Sequence, residues 1–157
     1  MRENLFRAKI KSKEELIGKG FPINDKGELV TEWVFGVPIP RYPDLFLAWN
    51  EACNEYEEVN IIPETIGECV NVPDKNGTKI FEGDILKIID GKEIIIASVK
   101  FGDYNQPDKI LKTHIGFYFD IANLASYRKD MGYWFGKTFS EIEVIGNIHD
   151  NPELLKE

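Results

Sequence analysis

The run DILKIIDGKEIIIASVKF, Asp84 to Phe101, constrains the fold more than any other part of this chain. Two β-branched segments flank Asp90-Gly91, and such a pair joined by a glycine turn folds back as an antiparallel hairpin, Asp84–Ile89 against Lys92–Phe101. The same punctuation recurs upstream. Asn76-Gly77 and Glu82-Gly83-Asp84 are turn signals with Ile80 and Phe81 between them. Asn and Gly tolerate the positive φ of a tight turn. Downstream, HIGFYFDIA (from His114) and EIEVIGNI (from Glu141) read as aromatic and β-branched strands. Strands this short, separated by turn residues, favour a small barrel or sandwich over a parallel α/β sheet. The fold class is therefore mostly β.

The first third is less regular. LFRAKIK, Leu5 to Lys11, alternates apolar and basic residues and reads as a strand. Ser12 to Gly20 reads as one or two helical turns, with Ser12 as N-cap, Glu15 at the capping-box position, and Gly18 and Gly20 closing it. Asn24–Leu29 is turn chemistry, and TEWVFGVPI resumes a strand before Pro38, Pro40 and Pro43 confine the chain to an edge or loop. Leu45–Val59 reads as two strands around a turn at Asn50–Asn54. A helix with Leu45, Trp49, Ala52 and Tyr56 on one face is the competing pattern. Pro63 is expected to break what precedes it, and Asn151-Pro152 to cap a short terminal helix. The expected organisation is an irregular β-rich lobe over 1–62 and a small β-barrel over 63–157.

Composition excludes some functions. The chain has 157 residues, enough for one domain and a sizeable core. Nineteen basic against 27 acidic residues give a net charge of −8, which opposes unaided binding to a phosphate backbone. A local basic patch at Lys109, Lys112, Arg128 and Lys129 has Asp108, Asp120 and Asp130 close by in sequence, so a solvated mixed surface is the better reading. No window approaches the roughly eighteen apolar residues that span a bilayer. The amino terminus MRENLFRAKIKSKEEL lacks an apolar signal region, so a soluble, cytoplasmic protein without a membrane partner is expected. Cys53 and Cys69 form no CxxC, and His114 and His149 are far from both in sequence. Their spacing also allows a disulfide, but two free thiols in a reducing compartment are the better reading, and no structural metal is expected.

Four groups of residues invite a chemical reading. Asp74 and Asn76 resemble the first two ligands of a calcium loop, but Gly77 comes too early and Ile85 occupies the place of the bidentate Glu. A turn whose Asp and Asn bond local backbone explains them better. Glu82 and Asp84 flank Gly83 and read as turn acids rather than a catalytic pair. Cys53 or Cys69 with His114 or His149 could form a nucleophile pair, yet no flanking motif supports one, and both thiols have apolar neighbours. The aromatic series Phe101, Tyr104, Phe117, Tyr118, Phe119, Tyr127, Tyr133, Trp134 and Phe135 holds the functional promise, since small β-barrels use outward rings to stack bases or grip peptides. Alternation along Phe117–Phe119 makes Tyr118 a candidate outward ring, and Tyr133–Phe135 offers another. Core packing is the stronger claim on most of them.

Three stretches together carry a family resemblance. ETIGECVNVPDKNGTKIFEGDILKI (Glu64–Ile88) holds Ile66-Gly67, Asp74, Asn76-Gly77, Ile80 and Glu82-Gly83-Asp84-Ile85. EVIGNIHDNPELL (Glu143–Leu155) holds Val144-Ile145-Gly146-Asn147 and Asn151-Pro152-Glu153-Leu154, and FRAK (Phe6–Lys9) is a weaker match. In order and spacing they resemble the YopX family of phage and prophage proteins. The sequence departs from the pattern at Cys69-Val70-Asn71-Val72. The resemblance implies a mostly β protein with an SH3-like barrel in its carboxy-terminal part. It implies no catalytic residues and no cofactor. The expected function is a non-enzymatic phage or prophage accessory protein, an interaction module for an unidentified protein partner or for itself as a homo-oligomer. A nucleic-acid-associated barrel is the alternative, and a small hydrolase or transferase comes third.

Overall fold

The computed structural model describes residues 5–105, 113–121, 128–130 and 140–156, with the backbone alone at 103–105, 113–115, 128–130 and 140. The chain forms two compact units, Met1–Cys69 and Val70–Glu157. Both are built from antiparallel strands. Among the described residues no helix is long and apolar enough to cross a membrane.

In the first unit, β1 (Phe6–Ile10) pairs with β2 (Trp33–Pro38), β2 with β3 (Leu45–Asn50), and β3 with β4 (Glu55–Pro73). β4 also pairs with β1, so the circuit closes on itself where the sequence reads as an irregular lobe. Closure needs β4 to serve two neighbours: Glu55–Asn60 lies against β3, and residues from Ile61 onward lie against β1. The pairing with β1 is then broken at Pro63. The register steps from Lys9↔Ile62 to Arg7↔Gly67, leaving residues 63–66 of β4 opposite Ala8 alone. Proline has no N–H for a ladder and is tolerated at such a bulge. Thr65 bridges the gap, its Oγ1 accepting from Lys9 N at 2.8 Å and donating to Ile62 O at 2.6 Å. Pro63 thus interrupts the ladder within β4 without ending the strand.

Alternation places Phe46, Ala48, Val59 and Ile61 inside, where with Ala8, Ile10 and Val34 they form the core of this unit. α1 (Lys13–Gly18) adds Leu16 to it. Ser12 caps the helix as the sequence indicates, accepting from Glu15 N at 3.3 Å. Glu15 departs from the capping-box expectation. Its carboxylate takes both the backbone N and the side-chain amide of Asn60, each at 2.8 Å. Burial raises the Glu15 pKa, but these two donors and Lys19 outweigh that and hold it below the ordinary value. Ser12→Ala is expected to cost about 1 kcal/mol. In thermal melts that corresponds to a fall of about 2–4 °C for a chain of this size.

In the second unit the strand order is β10-β6-β7-β8-β9. The strands are β6 (Asp84–Asp90), β7 (Glu93–Asn105), β8 (Thr113–Ile121), β9 (Arg128–Asp130) and β10 (Ser140–Asn147). The hairpin read from the sequence is present, with Asp90↔Glu93 at its tip and Ile85↔Ser98 at its base. Leu86, Ile88, Ala97, Val99, Phe119 and Ile142 build the core together with Ile80 of β5 (Lys79–Phe81), which neighbours β4. Phe119 and Tyr118 point to opposite faces of β8, yet both are buried, at 0% and 6% exposure. A strand covered on both faces presents no outward ring. Tyr118 is therefore not the exposed aromatic that alternation proposed.

Candidate functional site

Among the described residues, a group of exposed aromatics around a cavity lies in the first unit. A cavity of about 190 Å³ is walled by Leu29, Val30, Trp33, Phe35, Trp49 and Glu51, with Leu16 and Phe21 of the core behind them. β2 contributes Trp33 and Phe35, which alternate with buried Val34 and so share its outward face. β3 contributes Trp49, and the register that pairs Gly36 with Ala48 brings it to the same end as Phe35. Tyr56 pairs with Trp49 across β3 and β4 and meets it edge to face, ring centroids 5.0 Å apart. Val30, Phe35, Trp49 and Tyr56 are 66%, 37%, 40% and 59% exposed, so the mouth of the cavity is an apolar surface. Arg7, which pairs with Phe35, lies over Trp33, 4.7 Å from the ring centroid, in a cation–π contact.

Among the described residues that line it, only Thr31 and Glu51 have hydroxyl or charged side chains. Among the described residues the exposed Glu51 makes no ion pair. Cys53, Glu55 and Glu57 follow on the same hairpin, their ligand-type atoms within 4.8 Å of one another. Cys53 and Glu55 are exposed, Glu57 is half-buried, and among the described residues no histidine joins the group. Sequence reasoning passed over this region because Leu45–Val59 was read for its secondary structure only. The usable signal was the pairing of EWVF with AWNE and EYE, three alternating segments that put aromatic rings on one side of adjacent strands.

The residues singled out in the sequence are dispersed. Cys69 is a buried core thiol and Cys53 an exposed one, both free. His149 is exposed, with its backbone N–H held by Asn147 Oδ1 at 3.0 Å. Neither cysteine lines the cavity, and the side chain of His114 lies outside the described residues. The same holds for Tyr104, Arg128 and Lys129, while Lys109, Lys112, Tyr127, Tyr133, Trp134 and Phe135 lie outside them altogether. Phe101 is exposed and meets Phe117 edge to face at 5.0 Å.

The turn acids hold backbone. Asp74 Oδ1 accepts from Asn76 N and Thr78 N at 2.8 and 2.9 Å, and its Oδ2 from Val144 N at 3.0 Å. Gly77 supplies the positive φ, 81°, while Asn76 keeps a negative one. Asp84 is buried, and its Oδ2 accepts from Phe81 N at 2.8 Å. At the carboxy terminus Asn147 Oδ1 accepts from His149 N and Asp150 N. Asn151 bonds back to Asn147 N at 3.3 Å instead of capping the 3₁₀ turn Pro152–Leu155. The motif residues of both stretches thus build turns.

These features define an all-antiparallel β protein of two units, in which the turn motifs are structural and the first unit carries an aromatic groove. Residues 46–156 match the family described as YopX protein, most of the chain. The protein belongs to the YopX family. No curated protein and no solved structure matches it.

Proposed function

We propose that the protein is a non-enzymatic interaction module that binds a protein partner through the groove of its first unit. The observation that carries this reading is the apolar cavity of about 190 Å³ whose mouth is formed by exposed Val30, Phe35 and Trp49. Water-exposed aromatic surface around a pocket is what partner anchors fill, and Trp and Tyr supply much of the energy of such contacts. Family membership supports an accessory role in phage or prophage, exercised in the cytoplasm of a bacterial host. The five-strand antiparallel row of the second unit, with a register shift between Val144 and Gly146, supports reading it as an SH3-like barrel.

The test is affinity capture from host lysate, with nuclease-treated and untreated halves, comparing the wild type with Trp49→Ser and Val30→Asn. Both positions are exposed, so the variants are expected to fold. The expected result is a protein that survives nuclease and whose recovery falls at least about tenfold with either variant, the scale of one lost apolar anchor. Phe101→Ser, in the second unit, is expected to leave recovery unchanged. Recovery abolished by nuclease would move nucleic-acid association to first place. A partner captured equally by all variants would remove the groove from the reading.

A further inference from the structure

Resting on the interaction-module reading, we infer that the groove takes a bulky apolar side chain from a partner segment, and that Glu51 selects segments with Lys or Arg beside that side chain. Size sets the first part. A dry apolar cavity of about 150 Å³ accommodates benzene, so the 190 Å³ here admits an aromatic ring or a branched aliphatic group. The apolar surface continues past the cavity through Trp49 to Tyr56, beyond what a small molecule seated in the cavity would cover. That extent fits a peptide segment.

Charge sets the second part. Apart from the Thr31 hydroxyl, Glu51 stands in an apolar lining with no cation paired to it among the described residues. An occupant that covers Glu51 removes its water, and a buried carboxylate is costly unless a cation meets it. The β3–β4 side of the groove, where Glu51 stands, is acidic, while Arg7 and Lys9 pair with Phe35 and Trp33 on the β1 side. From Tyr42 to Asp74 the sequence holds no Lys or Arg but eight acids, Glu51, Glu55 and Glu57 among them. An acidic segment is repelled there and a basic one attracted. The rings of Trp49 and Phe35 add a face on which a guanidinium can lie.

Fluorescein-labelled octapeptides test this by polarisation, each with a central Phe flanked by two Arg, two Gly or two Glu. At about 20 mM salt the Arg peptide is expected to bind at least about fivefold tighter than the Glu peptide, and at about 0.5 M salt the ratio is expected to shrink towards one. Glu51→Lys is expected to level or invert the preference between the Arg and Glu peptides. Trp49→Ser and Val30→Asn are expected to weaken all three, and Phe101→Ser none. Equal binding of Arg and Glu peptides, or a preference untouched by Glu51→Lys, overturns the basic selectivity and leaves the groove as an apolar site. No binding of the Arg peptide up to about 1 mM, an affinity of only about 4 kcal/mol, overturns the inference itself. Groove-dependent capture from lysate would then keep the interaction reading standing alone.

Discussion

Gly36→Ala is expected to destabilise the first unit by about 3 kcal/mol or more, a loss at the upper end of core overpacking. A Cβ at this position would lie 1.9 Å from Leu47 O, 3.0 Å from Leu47 C and 3.3 Å from Ala48 Cα. All three are backbone atoms of β3, which cannot swing aside as a side chain can. β2 and β3 must therefore part where Gly36 pairs with Ala48 and Val37 with Leu47. Phe46 and Ala48 are wholly buried, so that separation opens the core as well. Phe35 and Trp49 flank the affected pair, and peptide binding is expected to fall together with stability. Thermal unfolding of the full chain should show a fall of about 6–12 °C in Tm. An unchanged Tm would show that the close approach of the two strands is not needed.

Asp74→Ala is expected to cost the second unit about 3–4 kcal/mol, since it strips the acceptor from three N–H groups and charge-assisted bonds count for more than neutral ones. Asn76, Thr78 and Val144 lose their partner together, and the last of these belongs to β10, seventy residues away. Lys75 N also donates to Ile142 O, so the turn and β10 are tied twice. The pH dependence has a definite sign. Burial pushes the Asp74 carboxyl up, but the donors of Val144, Thr78 and Asn76, with Lys75 beside it, outweigh that and hold its pKa below the ordinary value. A carboxyl depressed in the folded state stabilises fully above its unfolded pKa of about 3.9, and that stability is lost as pH falls through the folded pKa. Asp74→Asn keeps the shape without the charge. The gap in urea midpoint between wild type and Asp74→Asn should be constant near neutral pH and narrow below about pH 4. A gap independent of pH would mean that the charge contributes nothing.

The aromatic groove was not legible as a site. Trp33, Phe35 and Trp49 each read as ordinary strand residues, whereas alternation singles out Tyr118, which is buried. Pro63 read as a stop because proline lacks an N–H. The bulge and Thr65 supply the alternative partners that let β4 continue. Glu15 read as a capping-box residue from its spacing, but Asn60, 45 residues away, offers two donors to its carboxylate.

What the sequence determined by itself was local. The hairpin across Asp90-Gly91, the turns at Asn24–Gly27 and Asp74–Gly77, the Ser12 cap and the strands around Asn50–Asn54 follow from residues within a few positions of one another. Alternation, β-branching and Asx chemistry act over that range and were sufficient for them, and for family membership. What only the tertiary structure decided was long-range. The closure of β1 on β4, the tie from Asp74 to β10 and the aromatic rings left facing water depend on which distant strands lie side by side. Periodicity tells which face of a strand a side chain takes, whereas burial depends on what packs against that face.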